Sequence, residues 1–231
     1  SNISTAASVS AGSKHTCGVL SGGALKCWGY GEYGRLGNGD TSQKNSPVSV
    51  SISTVASVSA GDRHTCAVLS GGSLKCWGYG EYGQLGNGST SNQTSPVSVS
   101  NISTATSVSA GSDHTCALLS GGTVKCWGYG SYGRLGNGST STQTTPVSVS
   151  NISTATSVSV GYSHTCAVLS DGAVKCWGGG SYGQLGNGST TSTQTTPVSV
   201  TGISTASTVS AGVYHTCAAL SGGTVKCWGY G

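Results

Sequence analysis

A single phrase recurs along this chain, and its period restricts the fold more than any other feature. Histidine falls at His15, His64, His114, His164 and His215, in steps of 49, 50, 50 and 51 residues. Trp28, Trp77, Trp127, Trp177 and Trp228 keep the same steps. The unit Ser100–Val149 differs from the next one by eight substitutions and one inserted Thr. A unit of this size cannot bury its apolar residues alone, so neighbouring units must stack to make a core.

Each unit holds four strand signals, which we call A to D. In the third unit they are Thr106–Ala110, His114–Leu119, Thr123–Trp127 and Pro146–Val149, separated by Gly-rich or polar turns. Proline at the start of D suits an outer edge, because it cannot donate to a ladder. The small residues of A suit a crowded inner position. Composition agrees with strands: 43 Ser, 28 Thr and 39 Gly stand beside two Glu, and Phe and Met are absent, which leaves little to build helices from. Regularly spaced Trp and Tyr and few charges argue against disorder. No apolar run approaches the roughly 20 residues of a membrane helix. Four short strands per repeat predict an all-β propeller of antiparallel blades. The chain reads as one repeat domain, 1–231, with blades at about 1–50, 51–99, 100–149, 150–200 and 201–231. The last blade is incomplete: A, B and C occur five times, but the Pro of D occurs four times, at Pro47, Pro96, Pro146 and Pro197.

The ten cysteines follow from the hairpin register. The B–C turn is Ser-Gly-Gly in four units and Ser170-Asp171-Gly172 in one. Its constant final Gly suits a three-residue loop that ends in a left-handed residue. That loop sets Cys17 opposite Cys27 at a non-hydrogen-bonded position, where Cα atoms lie about 4.5 Å apart, within a disulfide's reach. Cys66–Cys76, Cys116–Cys126, Cys166–Cys176 and Cys217–Cys227 share the register. Five disulfides are therefore expected, which points to an oxidising compartment. The alternatives are cysteines packed as small hydrophobes or a metal site. The latter is disfavoured because zinc sites usually bring Cys pairs two to four residues apart.

The phrases Gly-x-x-His-Thr, Ser-Gly-Gly-Thr-Val-Lys-Cys-Trp-Gly and Tyr-Gly-Arg-Leu-Gly-Asn-Gly resemble the regulator of chromosome condensation repeat. They are most similar to the Cys-containing versions of bacterial secreted and surface proteins. The resemblance covers the whole chain. It implies a propeller, typically seven-bladed, on which functions vary widely. Relatives include an exchange factor for the Ran GTPase, a plant UV-B photoreceptor and a secreted β-lactamase inhibitor. The photoreceptor carries Trp before its Arg-His-Thr. Here those positions are Ser13, Asp62, Ser112, Tyr162 and Val213, so light sensing is not expected. There is also no basic run. Lys26, Lys75, Lys125, Lys175 and Lys226 sit one per unit, and the net charge is +4, so no nucleic-acid partner is expected. Extending the C-terminal blade with a D strand from upstream of Ser1 would close a five-bladed ring. We expect that body, with an arc of a seven-bladed ring as the alternative.

One histidine per unit in a constant frame reads as structural, and near-identical repeats supply no unique catalytic constellation. No enzymatic activity, cofactor or metal is expected. Binding is a different matter. Strands alternate in direction, so the A–B and C–D loops share a face, and all ten Tyr belong to those loops or their edges. Between the end of A and the His, the pairs are Ser13-Lys14, Asp62-Arg63, Ser112-Asp113, Tyr162-Ser163 and Val213-Tyr214; none recurs. Nearby, Arg35, Gln84, Arg134 and Gln184 alternate. Variable, Tyr-rich tips on a constant frame resemble a binding surface, while neutral variation at exposed loops is the plain alternative. The expected face comprises Lys14, Tyr33, Arg35, Arg63, Tyr82, Asp113, Tyr132, Arg134, Tyr162, Tyr182 and Tyr214. Its expected ligand is carbohydrate or protein, in an extracellular or cell-surface setting. The alternative function is a structural subunit that self-associates into a filament or surface array, through its faces or its open edge strand. Asn-x-Ser/Thr acceptors for glycans occur at Asn2, Asn87, Asn92, Asn101, Asn137, Asn151 and Asn187.

Overall fold

The computed structural model describes residues 3–190 and 193–231; the sequon at Asn2 lies outside them. Blade one is β1 (Ala6–Ala11), β2 (His15–Leu20), β3 (Leu25–Gly29) and β4 (Lys44–Ser49). Blade two is β5 (Val55–Ala60), β6 (His64–Leu69), β7 (Leu74–Gly78) and β8 (Gln93–Ser98). Blade three is β9 (Ala105–Ala110), β10 (His114–Leu119), β11 (Val124–Gly128) and β12 (Gln143–Ser148). Blade four is β13 (Ala155–Val160), β14 (His164–Leu169), β15 (Val174–Gly178) and β16 (Gln194–Ser199). Blade five has β17 (Ala206–Ala211), β18 (His215–Leu220) and β19 (Val225–Gly229), a three-stranded sheet among the described residues. Every blade is an antiparallel meander in chain order.

The hairpin register is the one the turn predicts. The final Gly of each B–C turn is left-handed, with φ of +79 to +81° at Gly23, Gly72, Gly122, Gly172 and Gly223. Cys17 faces Cys27 and the four other pairs repeat this. All five pairs are disulfides with Cα atoms 4.1 Å apart, and no cysteine is left free among the described residues. The D strands begin earlier than their proline suggests. In blade three, Cys126 pairs with Val147 and Gly128 with Gln143, so the ladder is irregular where Trp127 meets Thr144–Pro146. A bulge there accommodates the proline and lets pairing resume upstream of it.

The core lies between blades. Leu118, Val124, Leu135 and Val149 of blade three pack with Ala155, Val160, Ala167 and Trp177 of blade four, and three equivalent clusters fill the other interfaces. A polar latch crosses each one. His15 Nε2 lies 2.7 Å from Thr65 Oγ1, Thr65 Oγ1 donates to the Arg35 carbonyl at 2.8 Å, and Trp77 Nε1 donates to that carbonyl at 3.0 Å. The threonine's one proton goes to the carbonyl, so the imidazole must donate from Nε2. His64, His114 and His164 repeat the pattern with Thr115, Thr165 and Thr216. The histidines are thus structural members of the frame. The inner strands approach closely: a Cβ on Gly61 would stand 2.5 Å from the Gly111 carbonyl and 3.2 Å from its own blade's His64 ring.

The five-bladed ring expected from sequence is not what forms. Each inner strand packs on the next, from β1 through β5, β9 and β13 to β17, but the fifth blade does not latch onto the first. His215, whose partner in the pattern would be Thr16, is exposed. Val9 on β1 is 67% exposed, whereas Val209 on β17 is buried. The five blades form an open arc, with the inner strand of the first blade and the latch histidine of the fifth left exposed.

Candidate binding face

The backbone brings the A–B and C–D loops together blade by blade. Tyr30 N donates to the Lys14 carbonyl, Tyr79 N to Arg63, Tyr129 N to Asp113 and Tyr230 N to Tyr214, each at 2.8 to 3.0 Å. Inside the arc, the small residue, glycine and first variable residue of each blade line an open depression of about 610 Å³, with Ser13, Asp62, Ser112, Tyr162 and Val213 among its lining residues. Gly12 and its counterparts have ordinary φ, so space rather than backbone conformation demands glycine there.

Around this depression the aromatic residues form a belt. In blade one, the Arg35 guanidinium lies 5.2 Å from the Tyr30 ring centre and 5.6 Å from that of Tyr33. Tyr33 meets Tyr79 of blade two at 4.8 Å, Tyr79 meets Tyr82 at 5.9 Å, and Tyr82 meets Tyr129 of blade three at 4.6 Å. Arg134 continues the series over Tyr129 at 4.8 Å and Tyr132 at 5.7 Å. Farther on, Tyr182 packs on Tyr214 at 4.6 Å and Tyr230 at 5.5 Å, with Tyr162 at 6.5 Å from Tyr214. Lys14 and Arg63 sit over Tyr30 and Tyr79, each at 5.5 Å. Rings and cations in such sequence attract through the ring quadrupole.

The residues expected on this face divide into two groups. Tyr132, Tyr162, Tyr182, Tyr214 and Lys14 are exposed, and Tyr33, Tyr82, Arg63 and Asp113 are half-buried. Arg35 and Arg134 are not surface tips: each is 2% exposed. Arg35 Nε donates to the Glu32 carbonyl at 3.0 Å and a terminal nitrogen donates to the Asp62 carbonyl of the next blade at 2.9 Å. Arg134 does the same with Ser131 and Tyr162. Burial pushes both guanidinium pKa values down, and nearby Asp62 and Asp113 respectively oppose that shift. Gln84 and Gln184 play another part, each accepting from the backbone N–H of the tyrosine two residues before it, at 3.0 and 2.8 Å. The consequence is visible in the backbone: Tyr33 and Tyr132, in the arginine blades, have φ of +63° and +61°, and neither Tyr82 nor Tyr182 is left-handed. Sequence reasoning missed this switch, although the Arg/Gln alternation was its signal.

The latch histidines are held neutral. Burial lowers His15 and His164 to about 4 and His64 to about 3, and puts His114 well below the usual value. Their Nδ1 atoms are buried without a partner, which suits the unprotonated nitrogen. Among the described residues, no three or more His, Cys, Asp or Glu are grouped to hold a metal. No helix among them is long and apolar enough to cross a membrane.

Four-stranded blades that bury their core against each other and carry loops on one rim define a β-propeller of the repeat class. The chain belongs to the RCC1-like domain family, whose model matches residues 1–231. It is 43% identical over 44 residues to the human E3 ubiquitin-protein ligase HERC2, a stretch covering 19% of this chain and 1% of that protein. Human WBSCR16 superposes with a TM-score of 0.85 at 22% identity, over 96% of this chain and 61% of that one. Yeast RCC1 (Prp20), solved bound to Kap60, superposes with a TM-score of 0.82 at 22% identity, over 96% and 55%. This chain therefore spans a small part of the curated relative and under two thirds of each solved propeller.

Proposed function

We propose that this chain is a non-enzymatic extracellular binding module that recognises its ligand through the tyrosine belt and the variable A–B tips. The observation that carries the reading is the contrast between frame and rim. The latch, staple and core positions repeat from blade to blade, while the rim combines stacked tyrosines with a different residue pair in every blade. Tyrosine offers large contact area with few rotatable bonds and a polar tip, and it concentrates at recognition surfaces. A protein ligand is favoured by the similar yeast propeller, solved with Kap60 bound, and by the cations Lys14 and Arg63 set among the rings. Carbohydrate, which also stacks on tyrosine, is the alternative. The five disulfides support an oxidising, extracellular setting.

The test combines a glycan array with a pull-down from extracellular and cell-surface extracts. Wild-type protein is compared with a Tyr33→Asn, Tyr82→Asn, Tyr132→Asn, Tyr182→Asn variant of equal melting temperature. The expected outcome is a ligand retained by the wild type and lost by the variant. Equal retention would remove the belt from the account, and binding on the array alone would assign carbohydrate.

A further inference from the structure

Among the described residues the belt has one break, between blades three and four. In blade two the first tyrosine of the C–D loop, Tyr79, bridges two rings, Tyr33 of the blade before and Tyr82 of its own. Tyr occupies this position in four blades, as Tyr30, Tyr79, Tyr129 and Tyr230; in blade four it is Gly179. The backbone is unaltered there. Gly179 N donates to the Ser163 carbonyl at 2.9 Å, the same bond its counterparts make, and its φ is not left-handed. What is missing is one side chain. In blades one and two a cation, Lys14 or Arg63, lies over this tyrosine; in blade four the position is Ser163. Two reductions in size thus fall at one point of the rim. The rings they uncover are Tyr132, which is 57% exposed, and Tyr182, which is 45% exposed. Arg134 donates to the Tyr162 carbonyl at 3.0 Å and so ties blade three to blade four there.

We infer that this gap is a binding notch for an aromatic side chain, tyrosine or phenylalanine, presented by a polypeptide partner. The inference rests on the binding-face reading and names its central contact. The chain itself shows the occupant: at the equivalent interfaces a phenol ring sits 4.8 Å from Tyr33 and 4.6 Å from Tyr82. A ring entering from outside would meet Tyr132 on one side and Tyr182 on the other, with aromatic contacts of the same kind. An anchor of this sort, a ring packed between rings, is the usual centre of a protein interface.

The probe is N-acetyl-L-tyrosinamide, titrated into isotope-labelled protein and followed by amide chemical shifts, with methyl β-D-glucoside as the sugar control. Saturable shifts are expected at Tyr132, Ser163, Gly179 and Tyr182, with a Kd of about 1 mM, the scale of a ligand this small. Gly179→Tyr should fold, since its backbone admits any residue and only the rotatable Ser163 hydroxyl, 2.9 Å from the added Cβ, must move. That variant plugs the notch and should weaken the probe at least tenfold. Tyr132→Asn keeps a residue tolerant of positive φ and should weaken it similarly. Equal binding by Gly179→Tyr, or no saturable shift up to about 20 mM, would overturn the inference, and preference for the glucoside would replace it with a sugar subsite. A partner released by Tyr33→Asn and Tyr82→Asn but held by Gly179→Tyr would remove the notch and leave the wider face standing.

Discussion

Each latch histidine spends its Nε2 proton on a threonine of the next blade and leaves Nδ1 buried and bare. Protonating Nδ1 would bury a charge on an atom with no hydrogen-bond partner, which is why burial dominates the downward shift to about 4 at His15 and His164, although Asp62 opposes it at His15. In the unfolded chain these imidazoles titrate near 6.5. Between the two values the unfolded state holds more protons, so stability is full above about pH 6.5 and falls as pH drops toward 4. Each of these two histidines contributes up to about 3 kcal/mol to that loss. Urea midpoints measured from pH 7.5 to 4 should decline steadily through this window. A flat profile would mean that the imidazoles are not buried neutral. That the histidine is structural was readable from its recurrence in every unit. The threonine it serves was not, because the two lie 50 or more residues apart and meet only once the blades stack.

The hairpin is where the residue pattern becomes geometry. A constant left-handed glycine fixes the turn, the turn fixes the register, and the register brings the two cysteines together. Closing so short a loop stabilises a blade by about 2–3 kcal/mol in the chain-entropy model. Replacing Cys116 and Cys126 together with Ala should therefore lower stability by roughly that amount, with an unchanged far-ultraviolet spectrum; no change in the urea midpoint would show the staple to be inert. This chain of inference was legible because every step is local. The start of strand D was not, since the bulge beside Trp127 depends on how β11 receives Pro146. The C–D loop is a second case. Arginine in a polar loop reads as exposed, yet Arg35 and Arg134 turn inward because carbonyls of the next blade wait there. Arg134→Gln should convert its loop to the glutamine form: Tyr132 N would bond the new side-chain oxygen and leave the left-handed region. Amide shifts and couplings at Tyr132 resembling those of Tyr182 are the expected result, and persistence of positive φ would show that arginine does not set the loop.

At the scale of the whole molecule, the four inter-blade cores and latches repeat nearly the same chemistry. Stability is consequently spread along the arc as blade terms and neighbour terms. A frame built this way tolerates change at its rim, because the variable residue pairs lie outside the staples, the interfacial clusters and the latches. The open arc was the least legible feature. Blade count follows from the sequence, but ring closure depends on the angle between blades, and no single residue encodes it. The sequence pattern also showed that one rim is aromatic while the Ser-Gly-Gly turns opposite are bland, and the backbone bonds between the A–B and C–D loops place the tyrosines together. The account therefore turns on which rim meets the ligand. Hydrogen–deuterium exchange of the complex with the captured partner answers this directly. Protection should concentrate in residues 129–134, 161–163, 179–184 and 213–214, with the B–C turns at 21–23, 70–72, 120–122 and 170–172 unchanged. Protection centred on those turns, or on the outer strands, would contradict it.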